Sequence, residues 1–127
     1  MYKLDQTFAV LKPDLAIDAV PVSPTLYREL DANYNQFAGH VLISEHEFSA
    51  AWTVWERHPA GDEMVVLLSG SATIEIETTD GNRIVTLSEP GAYAIIPRGC
   101  WHTAIAAEPT RMLFVTPGEG TENRSIA

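Results

Sequence analysis

The chain has 127 residues, 46% of them hydrophobic and 20% charged, which fits one domain around one core. Eight Lys and Arg stand against 17 Asp and Glu, a net charge of −9, so nucleic acid and anionic membrane surfaces are disfavoured as partners. Cys100 is the one cysteine, which excludes an intrachain disulfide framework and a four-thiolate zinc site.

No apolar run approaches the roughly 20 residues of a bilayer span, and residues 1–10 lack a signal-peptide pattern. The expectation is a soluble, cytoplasmic protein of a reducing compartment. The first segments, 7–12 (TFAVLK) and 16–20 (AIDAV), read as strands stopped by Pro13 and Pro21. Residues 24–32 are the one helical pattern, with Ser23 as the expected cap, Pro24 at the first helical position, and Leu26, Tyr27 and Leu30 on one face. Residues 33–39 read as loop. Strands are then predicted over 40–48, 51–58, 63–69, 71–78, 83–88, 92–97, 102–107 and 111–116. The Asp80-Gly81 pair marks a hairpin between the fourth and fifth of these. The segment from Pro117 reads as an extended arm or frayed end. Many short strands at regular spacing, with turns of Gly, Pro and Asp, predict an all-β sandwich or barrel.

Two constellations carry chemistry. The first is Glu56-x-His58-x4-Glu63-x6-Gly70. Side chains alternate along a strand, so Trp52, Val54, Glu56 and His58 share one face. A Pro59-Ala60-Gly61-Asp62 turn then reverses the chain, and Glu63 opens the next strand. The second is Gly91-x5-Pro97-x-Gly99-x2-His102, in which two turns precede a strand bearing His102, Ala104 and Ala106 on one face. Two carboxylates and an imidazole at one end of a barrel suit a divalent transition metal, or acid–base work near neutral pH.

These segments resemble the paired motifs of the cupin superfamily. His58, Glu63 and Gly70 keep the first motif's spacing, with Ala50 at its leading Gly and Glu56 at its first His. Gly91, Pro97, Gly99 and His102 keep the second, with Ala106 at its Asn. The resemblance covers roughly residues 40–116 and implies a small antiparallel β-barrel of jelly-roll type. The whole chain is then one cupin-like domain, with 1–39 an N-terminal extension and 117–127 a tail. The implied metal ligands are His58, Glu63 and His102, with Glu56 as a fourth ligand, a general base beside the metal, or a strand residue paired to Arg57 or Arg98. The metal is expected to be Fe, Mn, Zn or Ni. A second carboxylate shifts the odds toward manganese or iron over copper.

Trp52, Tyr93 and Phe114 are the candidate pocket-lining residues, set against the plainer reading of core packing. Trp55 and Trp101 read as packing. His40 and His46 lie outside the motifs and read as ordinary strand histidines. Cys100 reads as structural, Asp62 as a weaker alternative to Glu63, and Arg98 as a solvated turn residue. The function implied is a small metal-dependent enzyme acting on an organic acid, sugar or aromatic. The alternatives are a non-catalytic ligand-binding or sensor module and a metal-free structural protein. Small cupins commonly dimerise through an N-terminal strand, and residues 7–20 suit that role in a homodimer.

Overall fold

The computed structural model describes residues 1–126. Among these described residues, eleven strands and one α-helix follow in chain order. They are β1 (Thr7–Leu11), β2 (Ile17–Pro21), α1 (Leu26–Asn33), β3 (Val41–Phe48), β4 (Val54–Arg57), β5 (Glu63–Ser69), β6 (Ala72–Thr78), β7 (Gly81–Leu87), β8 (Tyr93–Ile96), β9 (His102–Ile105), β10 (Thr110–Thr116) and β11 (Glu122–Ser125). Two antiparallel sheets result. One runs β2-β1-β3-β10-β5-β8, the other β11-β4-β9-β6-β7. This mostly-β pair of sheets is consistent with the expected jelly-roll barrel. Among the described residues, no helix is long and apolar enough to cross a membrane.

The alternation in sequence decides which side chains meet between the sheets. β5 and β6 both begin by burying every second residue, which brings Val65 and Leu67 against Ile74 and Ile76. Ala94 and Ile96 from β8, with Met112 and Phe114 from β10, close this core. Each large aliphatic side chain buried there contributes about 1.5–3 kcal/mol.

A second cluster fixes the N-terminal extension. Leu26 and Leu30, one helical turn apart, pack with Phe37 against Phe8, Val10 and Leu42. The extension is thereby folded onto β1 and β3. The helix begins at Leu26, later than the Ser23-Pro24 pattern predicts. Thr25, at φ −110°, is outside helical geometry, and the Ser23 hydroxyl bonds the Glu29 carboxylate and the Thr25 hydroxyl instead of capping. After α1, Asn35, Gln36 and Phe37 form a short 3₁₀ turn at φ 53°, 54° and 63°. Left-handed backbone is costly for Gln and Phe. Burial of the Phe37 ring, packed edge-on to Tyr34, offsets that cost.

Of the two alternatives for the tail, the structure shows the extended one. It is not a frayed end, because β11 pairs with β4 over Glu122–Ser125, and Ile126 donates to the Thr53 carbonyl. The Arg124 guanidinium lies over the Trp101 and Trp55 rings, at 4.7 and 5.3 Å, and the Arg57 guanidinium also lies over Trp101, at 4.8 Å. Glu77 pairs with Arg124 and Glu122 with Arg57. A polar, Gly- and Glu-rich tail gives no apolar alternation, so its pairing has no local sequence signal.

Candidate metal centre

Three short elements bring the four candidate residues together. Glu56 lies on β4 directly opposite His102 at the start of β9. His58 follows the end of β4, and Glu63 opens β5 after the turn. The turns of the two motifs are tied to each other. Asp62 accepts a hydrogen bond from the Arg98 backbone N–H at 2.8 Å, and the Gly99 N–H donates to the His58 carbonyl at 3.0 Å. Gly99 has φ 73°, a conformation that disfavours any larger residue. Asp62 therefore organises the turn and is not in the cluster.

The donor atoms of Glu56, His58, Glu63 and His102 all lie within 4.8 Å of one another. His58 Nε2 is 3.0 Å from Glu56 Oε1 and 3.2 Å from Glu63 Oε2, and His102 Nε2 is 3.1 Å from Glu63 Oε1. His58, Glu63 and His102 are 4%, 2% and 1% exposed. Despite these short distances, His58 Nε2, His102 Nε2 and Glu63 Oε1 have no aligned hydrogen-bond partner. Buried polar atoms left this way are costly. Their convergence suits a cation that accepts a lone pair from each, which is the fit a divalent ion needs.

The surrounding bonds hold that arrangement. Thr121 Oγ1 gives its only hydrogen to the Gly118 carbonyl, so at 2.9 Å from His58 Nδ1 it acts as acceptor. The proton is then on Nδ1, and Nε2 is free to ligate when the ring is neutral. His102 Nδ1 faces the Cys100 carbonyl at 3.3 Å in the same sense. Thr116 Oγ1 donates to Glu63 Oε2 at 2.6 Å and orients the carboxylate.

Without a bound cation the cluster shares a proton. Burial alone depresses the His58 pKa, but the Glu56 and Glu63 carboxylates outweigh it and raise it to about 9. Burial pushes Glu63 upward, and His102 and His58 more than reverse this, bringing it to about 2. A proton and a divalent cation thus compete for one point.

A cavity of about 800 Å³ opens beside the cluster. Trp52 and Phe114 line it, together with Val54, Glu56 and His58. Tyr93 does not. On β8 the inward positions are Ala94 and Ile96, so Tyr93 falls in the outward phase and is 55% exposed. Glu56 faces His58, whereas Arg57 pairs with Glu122, and among the described residues neither Arg57 nor Arg98 forms an ion pair with Glu56. Trp55 and Trp101 pack with arginines, and His40 bonds the Ala38 carbonyl. His46 does line the cavity, its ring edge-on to Phe8 and Phe114. Thr116 and Thr121 complete the surroundings of the cluster. The sequence signals Thr116, a polar residue in the inward phase of Met112 and Phe114, whereas Thr121 reaches His58 across 63 positions with no local signal.

Residues 40–116 match the family model for the cupin domain. The chain belongs to the cupin family. A comparison with curated proteins found no match. Among solved structures, a cupin superfamily protein from Desulfitobacterium hafniense is 25% identical over 60% of this cupin and 65% of its own length, with a TM-score of 0.50. Hydroquinone 1,2-dioxygenase from Sphingomonas is 17% identical over 60% of this chain and 58% of its own, with a TM-score of 0.52. Oxalate decarboxylase from Bacillus subtilis, which has Mn(II) centres, is 18% identical over 76% of this chain and 26% of its own, with a TM-score of 0.55. This cupin therefore spans less than two thirds of the length of each of these three proteins.

Proposed function

We propose that this cupin is a small metal-dependent enzyme acting on a small organic molecule held in the cavity beside Glu56, His58, Glu63 and His102. The observation that carries the proposal is the set of three buried, unpartnered donor atoms converging on one point. Two imidazoles and two carboxylates favour manganese or iron, with zinc and nickel also compatible. A bound divalent ion supplies Lewis-acid polarisation of a ligand oxygen. Thr116 and Thr121 hold Glu63 and His58 in ligating orientation. Trp52 and Phe114 supply apolar surface to the cavity lining. Glu56 is the most exposed member, with 29% of its side chain accessible, so its carboxylate is the group placed to accept a proton from the substrate. We further propose that β2 forms a homodimer edge. It ends one sheet and leaves Ile17 63% exposed, so gel filtration showing a monomer would remove that claim.

The test is elemental analysis of untagged protein, with Glu56→Ala and His102→Ala alongside. About one equivalent of a transition metal, lost in both variants, supports a four-ligand site. Loss in His102→Ala alone assigns Glu56 to proton transfer. Absence of metal in every sample after reconstitution removes the enzyme reading and leaves a ligand-binding module.

A further inference from the structure

The cavity lining combines aromatic rings with acidic side chains. The rings form a continuous shelf that starts at the candidate metal centre. The Trp52 ring lies 6.2 Å from the His102 ring, 5.8 Å from Phe48 and 6.1 Å from Phe114. His46 extends the shelf, edge-on to Phe114 at 5.6 Å. Stacked and edge-on partners at these spacings are what a flat ring offers and requires.

Apart from the proton that His58 holds when no ion is bound, the charged lining has one sign. Asp31 and Glu47 join Glu56 and Glu63 around the cavity, and among the described residues no Lys or Arg lines it. Several cations are instead paired elsewhere: Arg57 with Glu122, Arg111 with Glu45, Arg124 with Glu77 and Lys12 with Asp18. A divalent ion would balance two of the four carboxylates and leave two uncompensated. A ligand carboxylate or phosphate would enter this field without a protein cation to receive it. A cationic or neutral ring meets favourable carboxylates and aromatic faces.

We infer that this cavity takes an aromatic ligand bearing no negative charge, with a protonated aromatic amine favoured over a neutral ring. The inference rests on the proposed function for the site it serves and narrows its substrate class, setting organic acids aside. Its charge argument survives loss of the metal, because the proton on His58 then balances one carboxylate where the ion would balance two, so the two readings fail separately.

The experiment is calorimetric titration with benzylamine, benzyl alcohol and benzoate, three ligands that share a ring and differ in charge. It is run on Mn(II)-loaded and on chelator-treated protein. Benzylamine is expected to bind tightest and benzoate at least about tenfold more weakly in both forms. An Asp31→Asn, Glu47→Gln double variant, altered only at exposed cavity positions, should narrow that gap. Benzoate binding as tightly as benzylamine in either form overturns the inference, as does no binding of any probe at concentrations on the order of 10 mM. An amine preference in protein that retains no metal removes the metal-dependent enzyme and upholds the ligand class. A benzoate preference in metal-loaded protein does the reverse.

Discussion

Replacing Thr121 with Val tests whether the C-terminal segment sets the ligating state of His58. The hydroxyl donates to the Gly118 carbonyl at 2.9 Å and accepts from His58 Nδ1 at 2.9 Å. Valine keeps the branched shape and removes both bonds. The His58 ring then loses the partner that fixes its proton on Nδ1, and neutral rings carrying the proton on Nε2 present no lone pair to the centre. Loss of such a supporting bond typically lowers metal affinity by about 10–100-fold, or about 1.4–2.7 kcal/mol. Thr121 is exposed, so the fold should lose about 1 kcal/mol or less. The assay is Mn(II) or Zn(II) titration against a competing chelator, with thermal unfolding of the metal-free protein as the control. Thr121→Ser should retain most of the affinity. Thr121→Val with unchanged affinity would refute the argument that this hydroxyl prepares His58.

Gly70→Ala should lower stability by about 3 kcal/mol or more, measured by urea denaturation. Gly70 has φ 82°, and an added Cβ would lie 2.6 Å from the Pro109 carbonyl and 2.8 Å from Thr110 Cα, both backbone atoms that cannot swing aside. Gly91→Ala, at φ 91° with open space around it, should cost only about 1 kcal/mol. Arg124→Ala should cost about 1 kcal/mol and speed amide exchange along β11, because it removes both ring contacts and the Glu77 pair. The metal-free protein should be most stable between about pH 4.5 and 6.5. The Glu63 contribution is present above its unfolded value of 4.5 and lost as pH falls toward about 2, and the His58 contribution is present below 6.5 and lost as pH rises through about 9. The two shifts describe one ion-paired cluster, so the swing is about 3 kcal/mol counted once. Equal denaturation midpoints at pH 5.5 and pH 9.5 would contradict it.

What was legible in the sequence follows from local alternation. The period of two placed Trp52, Val54, Glu56 and His58 on one face, and all four line the cavity. The motif turns had their own signals in Pro and Gly, so the meeting of Glu63 with His102 was readable too. Tyr93 shows the limit of the method. One register step separates an inward from an outward residue, and on β8 the small Ala94 takes the inward position while the aromatic side chain is turned out. Aromatic content alone suggested a pocket role there. The tail marks a second limit. β11 is held by arginines over tryptophans from distant strands, and a composition rich in Gly and Glu carries no trace of that pairing.

The division of labour between the matched segment and its flanks follows from where each contact originates. Residues 40–116 supply all four donor atoms and the shelf of Phe48, Trp52 and Phe114. Further lining comes from outside that segment, including Leu30, Asp31, Gln36 and Phe37 from the N-terminal extension, and Thr121 and Asn123 from the tail. The extension is anchored by the Leu26, Leu30 and Phe37 cluster, and the tail by the pairing of β11 with β4. Neither flank contributes a donor to the centre, yet one lines the cavity and the other orients His58. Changes in the flanks should therefore alter which ligand enters and how tightly the ion is held, while the position of the four donors stays fixed by the barrel. The strained left-handed turn at Asn35, Gln36 and Phe37 fits that division. It puts Gln36 and Phe37 on the cavity wall, where a relaxed turn would carry the chain elsewhere.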